Sequence, residues 1–505
     1  MIARPKVVLL GMLTKIPVGG VIWLVRQYAI GFQRLGFDVY YVEAHGRVPS
    51  MFMEHDHDDG NAKAAAFIAD QMGELGMDDR WAYHAVHDGG RCYGMSRAQL
   101  NRLYRDAALV VNLHGGTVPL EEHAAGGRLV YMGTDPVELE LELHRREQHA
   151  VDFLEPHVAF FTWGLNYGNP DCRLPWSERF PFVPSPPPVV VDQWQGVADG
   201  AEADAFTTVG NWRQPWRAVT FEGEVYTWSK HHEFEKILDL PRRVDQRFEL
   251  ALSSYTEEDR RLLEEHGWRV RPGLPLSADA TSYRDYVAAS RGELTAAKDQ
   301  NVRLRTGWFS ERSATYLAAG RPVIQQDTGF GNAIPTGNGV FAFSGLDDAA
   351  EAVEAINADY ERHRRAATDV ARSFFNYDVV LTDLLDHAGV EIPVRPRRPR
   401  PAPVGGAADV LTRPVPGVGP RRPTAPRLRF VVVVPDDLGA ARTRLESLLD
   451  AAFEPCFEIV AVAPEPPDDV RRYLSVLAAR NKNVRVLASL ASLAEDEPST
   501  PAPLR

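Results

Sequence analysis

Cysteine is scarce in this chain: three residues among 505, Cys92, Cys172 and Cys456, lie far apart. They form neither a zinc spacing nor a disulfide framework, and a reducing compartment suits them. Positive charge is in deficit as well. With 56 lysines and arginines against 69 acidic residues, the net charge is −13. That balance excludes a general nucleic-acid binder, which needs a basic face. Lysine is rarer still, seven of the 56 basic residues, which speaks of composition and not of mechanism. Long apolar runs are missing too, and none approaches the roughly 20 residues that a membrane span requires. "KVVLLGML" (6–13) is apolar, but Lys15, Pro17 and two glycines follow at once. It reads as a first buried strand and not as a secretory signal. The expectation is a cytoplasmic protein without a transmembrane segment, with peripheral membrane contact left open.

What is present is ordinary for a globular protein: 44% hydrophobic and 25% charged residues. The length suggests about two to four domains. From the start, strands and helices alternate: "KVVLLGML", then "VIWLVRQYAIGFQRLG" (21–36) at helical spacing, then "FDVYYVEA" (37–44). "AALVVNLHGG" (107–116) and "GRLVYMGTD" (127–135) continue the pattern. Such alternation predicts a parallel sheet covered by helices on both faces. The proline-rich "RFPFVPSPPPVVVDQW" (179–194) reads as a connection, and a second alternating set follows. In it, "AFTTVGNW" (205–212) and "RFELALSS" (247–254) read as strands, and "YRDYVAASRGELTAAKD" as a helix running into an exposed turn. Helices over 346–375 close the set. Residues 393–429 carry ten prolines, nine arginines and one acidic residue, so a linker is expected there.

The predicted fold class is therefore α/β. A first Rossmann-like lobe spans 1–195 and a second 196–392, facing each other across a cleft. A Pro/Arg-rich linker covers 393–427, a small α/β segment 428–490, and a disordered tail 491–505.

Ligands of parallel sheets bind at the carboxyl ends of strands. The first strand ends in "TKIPVGG", where Gly19 and Gly20 permit close backbone approach and a helix offers its amides. A tight strand-to-helix turn would need glycine there in any case. "VVNLHGG" puts His114 at a strand end, able to act as a base or to bond a sugar hydroxyl, or simply to satisfy its loop. Asp135 in "MGTDP" is placed similarly; its plainer reading is a turn residue before Pro136. Glu43 and His45 are weaker candidates. In the second lobe, Asn211, Trp212 and Arg213 end a strand, Lys230 follows, and Lys298, Arg303 and Arg305 precede "GWFSERSATYLAAGRPVIQQDTGFG" (307–331). There Ser310, Glu311, Arg312 and Ser313 open a helix, and Asp327, Thr328 and Gly329 form the next strand-end loop. Hydroxyls, helix amides and fixed cations converging in this way suit a diphosphate. The plainer reading of Ser310 is a helix cap.

"SERSATYLAAGRPVI" resembles the donor-binding helix of GT-B glycosyltransferases. "IPVGGV…GFQRLGFDVYYVE" resembles the first unit of their acceptor lobe, and "FTTVGNW" with Lys230 the start of their nucleotide lobe. The closing "ARSFFNYDVVLTDLL" is similar to their tail that crosses back. The resemblance covers about residues 5–390. "DFLEPHVAFFTWGLNYGNPDCRLPW" resembles a bacterial branch of these enzymes. Many retaining members place one glutamate before this helix and another within it; here those positions are Gly307 and Thr315. "RFVVVVPDD…FEIVAVAPEPPDD" resembles the opening of a GT-A family 2 glycosyltransferase, without that family's downstream metal motif.

The resemblance implies transfer of a sugar from a nucleotide diphosphate such as a UDP-sugar to an unknown acceptor, with no metal and no cofactor. His114 or Asp135 would be the base if the reaction inverts. The donor would be held by Gly19, Gly20, Lys230, Arg305, Ser310, Glu311, Arg312, Ser313, Asp327, Thr328 and Gly329. Two other readings stay open: a nucleotide-sugar epimerase on the same fold, and a non-catalytic scaffold.

Overall fold

The computed structural model describes residues 4–47, 49–53, 59–196, 203–214, 216–395, 428–433, 457–462, 467–480 and 484–487. Contacts divide the chain into two units. The larger comprises Met1–Tyr167 and Asp171–Arg395 and holds both lobes. Most of the predicted linker and the predicted tail lie outside the described residues.

The first lobe is built on β1 (Lys6–Leu10), β2 (Asp38–His45), β3 (Trp81–Ala85), β4 (Arg91–Gly94), β5 (Leu109–Leu113), β6 (Leu129–Gly133), β7 (Ala159–Thr162) and β8 (Phe182–Pro184). Their order is β4-β3-β2-β1-β5-β6-β7-β8. All pairings are parallel except β3 with β4. The strand order reverses between β1 and β5, so the loops leaving these two strands open a crevice. β5 is buried along its whole length, as a strand covered on both faces must be. The connection expected over 179–194 begins as the edge strand β8, and only its later part crosses between lobes.

The second lobe contains β9 (Ala205–Asn211), a hairpin of β10 (Val219–Phe221) and β11 (Glu224–Tyr226), then β12 (Arg247–Ser253), β13 (Arg269–Pro272), β14 (Gly292–Thr295), β15 (Val323–Gln326) and β16 (Val340–Phe343). Its main sheet runs β13-β12-β9-β14-β15-β16 and is wholly parallel. The reversal lies between β9 and β14. Here the structure corrects the sequence reading: the "exposed turn" after the helix Ala280–Ala288 is the central strand β14. Gly292 lies flush against its neighbours, since a Cβ there would sit 2.5 Å from the Phe206 ring and 2.6 Å from the Pro322 carbonyl. Glu293 within this strand is fully buried.

After the second sheet, the helices Leu346–Ala358 and Tyr360–Val370 lead through a π-helical turn, Ala371–Phe375, into the helix Tyr377–His387. That last helix returns to the first lobe and packs on Gly19–Arg34. A Cβ on Gly31 would lie 2.5 Å from Leu381 and 2.9 Å from Tyr377, so the two helices touch where a side chain is absent. The Tyr377 amide donates to the Val189 carbonyl at 2.9 Å. Two Rossmann-like lobes joined by a crossing terminal helix are the architecture expected from the sequence.

The second unit holds three parallel strands, β17 (Leu428–Val433), β18 (Phe457–Val462) and β19 (Val484–Leu487), in that order. The helix Asp468–Arg480 lies between the last two in sequence and buries Val470, Tyr473 and Leu474. No described helix is long and apolar enough to cross a membrane.

Candidate functional site

The carboxyl ends of the two sheets face a cleft of about 1140 Å³. The first lobe contributes the loops after β1, β5 and β6; the second contributes Arg217, Trp308 and Glu311. The loops after β1 and β5 leave the two strands that flank the switch point, and the loop after β6 lies next to them.

Cations dominate the side of the cleft that belongs to the second lobe. The Lys298 ammonium sits 3.1 Å from the centroid of the Trp228 ring, and the Arg217 guanidinium lies 4.0 Å from the same centroid. Lys298 reaches across to Asp135 Oδ1 at 3.2 Å. Arg217 donates to Glu138 Oε2 at 2.9 Å and lies 3.8 Å from Asp135 Oδ2. Burial favours a neutral Asp135, but Lys298 and Arg217 outweigh it and hold its pKa below the usual range. A carboxylate held by two cations is a weak base. Asp135 thus joins the lobes as an ion-pair partner.

Lys230 differs. It is buried, and among the described residues its ammonium has no carboxylate and no hydrogen-bond acceptor; its one close partner is the Trp308 ring at 5.7 Å. Burial pushes its pKa well down, Arg312 and Lys298 push the same way, and Glu293 and Glu311 oppose them. An unpaired buried ammonium is costly, and an arriving anion would relieve it.

The helix Glu311–Ala318 begins beside this cation. Ser310 caps it, its hydroxyl accepting from the Arg312 amide at 3.2 Å. Arg312 turns away from the cleft. Its Nε donates to Glu293 Oε1 at 2.5 Å, Nη1 to the Val209 carbonyl at 2.8 Å and Nη2 to Thr295 Oγ1 at 2.9 Å. All three nitrogens are therefore engaged at the ends of β9 and β14. Ser313 is buried and donates to Gln325 Oε1 at 2.9 Å. Only Glu311 of this group lines the cleft. Burial raises its pKa, against Arg312 and Lys230.

Gly307 and Thr315, the two positions compared above with glutamates, have structural reasons for their identities. Gly307 has φ = 76°, and a Cβ there would lie 2.1 Å from the Asn166 amide nitrogen. The segment around Asn166 pairs with it, the Asn166 amide donating to the Thr306 carbonyl at 3.1 Å. Thr315 is buried, its hydroxyl donating to the Arg312 carbonyl at 2.6 Å.

On the first lobe, His114 adopts the left-handed region at φ = 65°. Its Nδ1 lies 3.0 Å from Thr134 Oγ1, while Nε2 is buried with no partner among the described residues. Burial lowers its pKa to about 4, against the pull of Asp135 and Glu43. A neutral imidazole facing the cleft can hold or take one proton. Beneath it, Glu43 and His45 are buried under the loop after β1. The Thr14 amide donates to Glu43 Oε1 at 3.1 Å, the Tyr41 hydroxyl donates to the same oxygen at 2.5 Å, and His45 Nε2 lies 2.5 Å from Oε2. Burial works against the Glu43 carboxylate, but His45, Thr14 and Tyr41 keep its pKa low. Tyr41, Glu43 and His45 alternate along β2 and so share one face, a pattern visible in "YVEAH".

Several expected donor residues stand elsewhere. The Gly19 amide donates to the Ser277 carbonyl at 2.7 Å, and a Cβ on Gly19 would meet the Asp279 carbonyl, so this glycine serves lobe contact. Gly20 faces Glu311 across the interface. Arg305 donates to Asp171 at 3.0 Å and to Asp327 at 2.9 Å. Thr328 donates to the Trp308 carbonyl at 2.8 Å, and Gly329 packs on Asn166. All of them lie outside the cleft lining, and Arg305 and Gly329 touch the first lobe there. Arg213 pairs with Asp259 and Arg303 with Glu224. Arg217, Trp228, Trp308 and Glu138 were not foreseen, and no local pattern in the sequence points to them.

Neither the family models nor the curated proteins compared with this chain give a match. Among solved structures, it is similar to Alr3699/HepE of Anabaena in complex with UDP-glucose, at 13% identity and a TM-score of 0.49, over 76% of this chain and 99% of that one. It is also similar to AviGT4, a glycosyltransferase of avilamycin A biosynthesis, at 15% identity and a TM-score of 0.43, over 76% and 97%. A third is sucrose-phosphate synthase of Thermosynechococcus elongatus, at 12% identity and a TM-score of 0.42, over 76% and 98%. Such low identities and scores leave the chemistry of the site to its own residues.

Proposed function

We propose that this chain is a glycosyltransferase that takes a sugar from a nucleotide diphosphate held by the second lobe and passes it to a hydroxyl of an acceptor held by the first. The observation that carries this reading is Lys230, a buried lysine whose ammonium has no ion-pair partner among the described residues, beside the start of the helix Glu311–Ala318. A diphosphate supplies the missing charge, and the helix amides add a favourable potential. Glu311, repelled by phosphate, would accept from sugar hydroxyls. As the bond to the sugar breaks, negative charge grows on the diphosphate, and Lys230 would stabilise it there. No metal is needed in this scheme. His114 Nε2 would take the proton of the acceptor hydroxyl if the reaction inverts. Arg312 contributes through its field and through its hold on Glu293, not by contact.

The carboxy-terminal unit takes no part in this scheme, and nothing in its described strands supports the GT-A resemblance. The replacement of both glutamate positions by Gly307 and Thr315 favours, as a second reading, a scaffold without turnover. The test is calorimetric titration of UDP, GDP, ADP and TDP into the protein and into Lys230→Met. A charge-assisted hydrogen bond contributes about 1.5–3 kcal/mol, so the variant should bind its nucleotide roughly 10- to 150-fold more weakly. Binding of none of them, or equal binding by the variant, overturns the proposal. Nucleotide-sugar incubation then separates transfer or slow hydrolysis from epimerised sugar and from no change.

A further inference from the structure

The wall of the cleft that belongs to the first lobe has a chemistry of its own. Met12 and Ile16 come from the loop after β1, Val118 from the loop after β5, and Tyr131, Leu139 and Phe153 from β6 and the two short helices Glu138–His144 and Gln148–Leu154. Val118 is 75% exposed, more than any other large apolar side chain described, and Ile16 is 44% exposed. Single exposed apolar residues are unremarkable, but here they join an apolar surface inside a concave site.

The polar groups of this wall are mostly spent. Asp135 and Glu138 are held by Lys298 and Arg217. His114 and Thr134 face each other, and the Thr134 carbonyl accepts from Trp308 Nε1 at 3.1 Å. Recognition of a sugar or another polyol needs many converging donors and acceptors, and few remain. The rim carries Glu142 and Asp152. Among the described residues Glu142 is met only by His149, at 3.3 Å, and Asp152 accepts from Gln148 at 2.6 Å. The nearby cations are engaged elsewhere: Arg145 with Glu147 and the Thr220 carbonyl, Lys15 with the Gly116 carbonyl at 2.6 Å. An apolar wall under an acidic rim admits neutral or cationic molecules and repels anions.

We infer that the acceptor is an apolar hydroxyl compound, uncharged or positively charged, and not a sugar, a phosphate or a polyanion. This rests on the transferase reading, because it assigns the occupant of the same cleft. The test is titration of the full chain, first with the nucleoside diphosphates and then, at nucleotide saturation, with tyramine, 4-ethylphenol, 4-hydroxyphenylacetate and maltose. Tyramine and 4-ethylphenol should bind, and 4-hydroxyphenylacetate should bind about tenfold more weakly or worse. Val118→Asp, at an exposed position, should weaken 4-ethylphenol, and Glu142→Gln should narrow the preference for tyramine over 4-hydroxyphenylacetate. Maltose or 4-hydroxyphenylacetate binding as well as tyramine overturns the inference, as does 4-ethylphenol binding unchanged in Val118→Asp. Nucleotide binding with no phenol bound overturns it alone and leaves the transferase reading intact. Phenol binding in the expected order without any nucleotide binding removes the transferase reading but supports the chemistry assigned to this wall.

Discussion

The two lobes bury charge at equivalent places, the loops at their switch points, yet they balance it differently. In the first lobe, Glu43 is enclosed by Thr14, Tyr41 and His45, and both oxygens of its carboxylate are matched by neighbours on β2 and one loop. In the second lobe, Glu293 is matched by Arg312, but Lys230 beside them forms no ion pair and no hydrogen bond through its ammonium among the described residues. A satisfied network holds a loop in place. An unsatisfied one marks where the molecule is incomplete without a ligand. The same fold thus provides a positioned acceptor wall on one side and a charge-seeking pocket on the other.

The largest effect should come from opening the closed pair of the second lobe. Arg312→Met leaves Glu293 buried without its partner and should cost about 3–5 kcal/mol in denaturant unfolding. A stable Arg312→Met protein that cannot bind nucleotide would reverse the assignment, making Arg312 a ligand contact. Next comes His114→Gln on the other lobe, which should lower turnover by roughly 100-fold or more while nucleotide affinity stays put. Parallel losses of affinity would show that the lobes do not divide the substrates.

Lys230→Met should weaken nucleotide binding as stated above, yet raise thermal stability. The sign follows from its depressed pKa in the folded chain. Above the unfolded value of 10.5 the group costs nothing; as pH falls towards its folded pKa, the unfolded chain takes up the proton first and stability is lost. Methionine removes that loss, so the melting temperature at neutral pH should rise, and the gain should shrink as pH approaches 10.5. A variant that melts lower would mean that the ammonium is already paired. Ser310→Ala should cost about 1 kcal/mol of stability and leave nucleotide affinity unchanged, as a cap predicts. Smallest of all, a chain ending at Arg395 should bind nucleotide like the full chain, since both lobes lie within that length.

Local rules account for much of this molecule. Period and punctuation gave the alternating strands and helices, the two-lobed α/β class, the strand ends that carry His114 and Asp135, and the helix start after Ser310. They are written in neighbouring residues: spacing reports which face is buried, and a serine before an apolar run reports a cap. Lys230 was recognisable as a candidate on the same grounds, though its isolation was not.

Burial patterns report that a charge is inside and say nothing of what neutralises it. The stretch that forms β14 read as an exposed turn, and the partner that lets its Glu293 be buried stands 19 residues on. Asp135 looked like a base because Lys298 is 163 residues away. Arg305, Asp327 and Gly329 looked like parts of a phosphate loop until the segment at Asn166 and Asp171 came to lie against them. Spacing along the chain therefore set the elements and their exposed ends, whereas the pairing of charges was settled by which ends the folded lobes brought within a few ångströms. Coulomb energy depends on distance in space and on the water excluded between the charges, and neither quantity is a property of position along the chain.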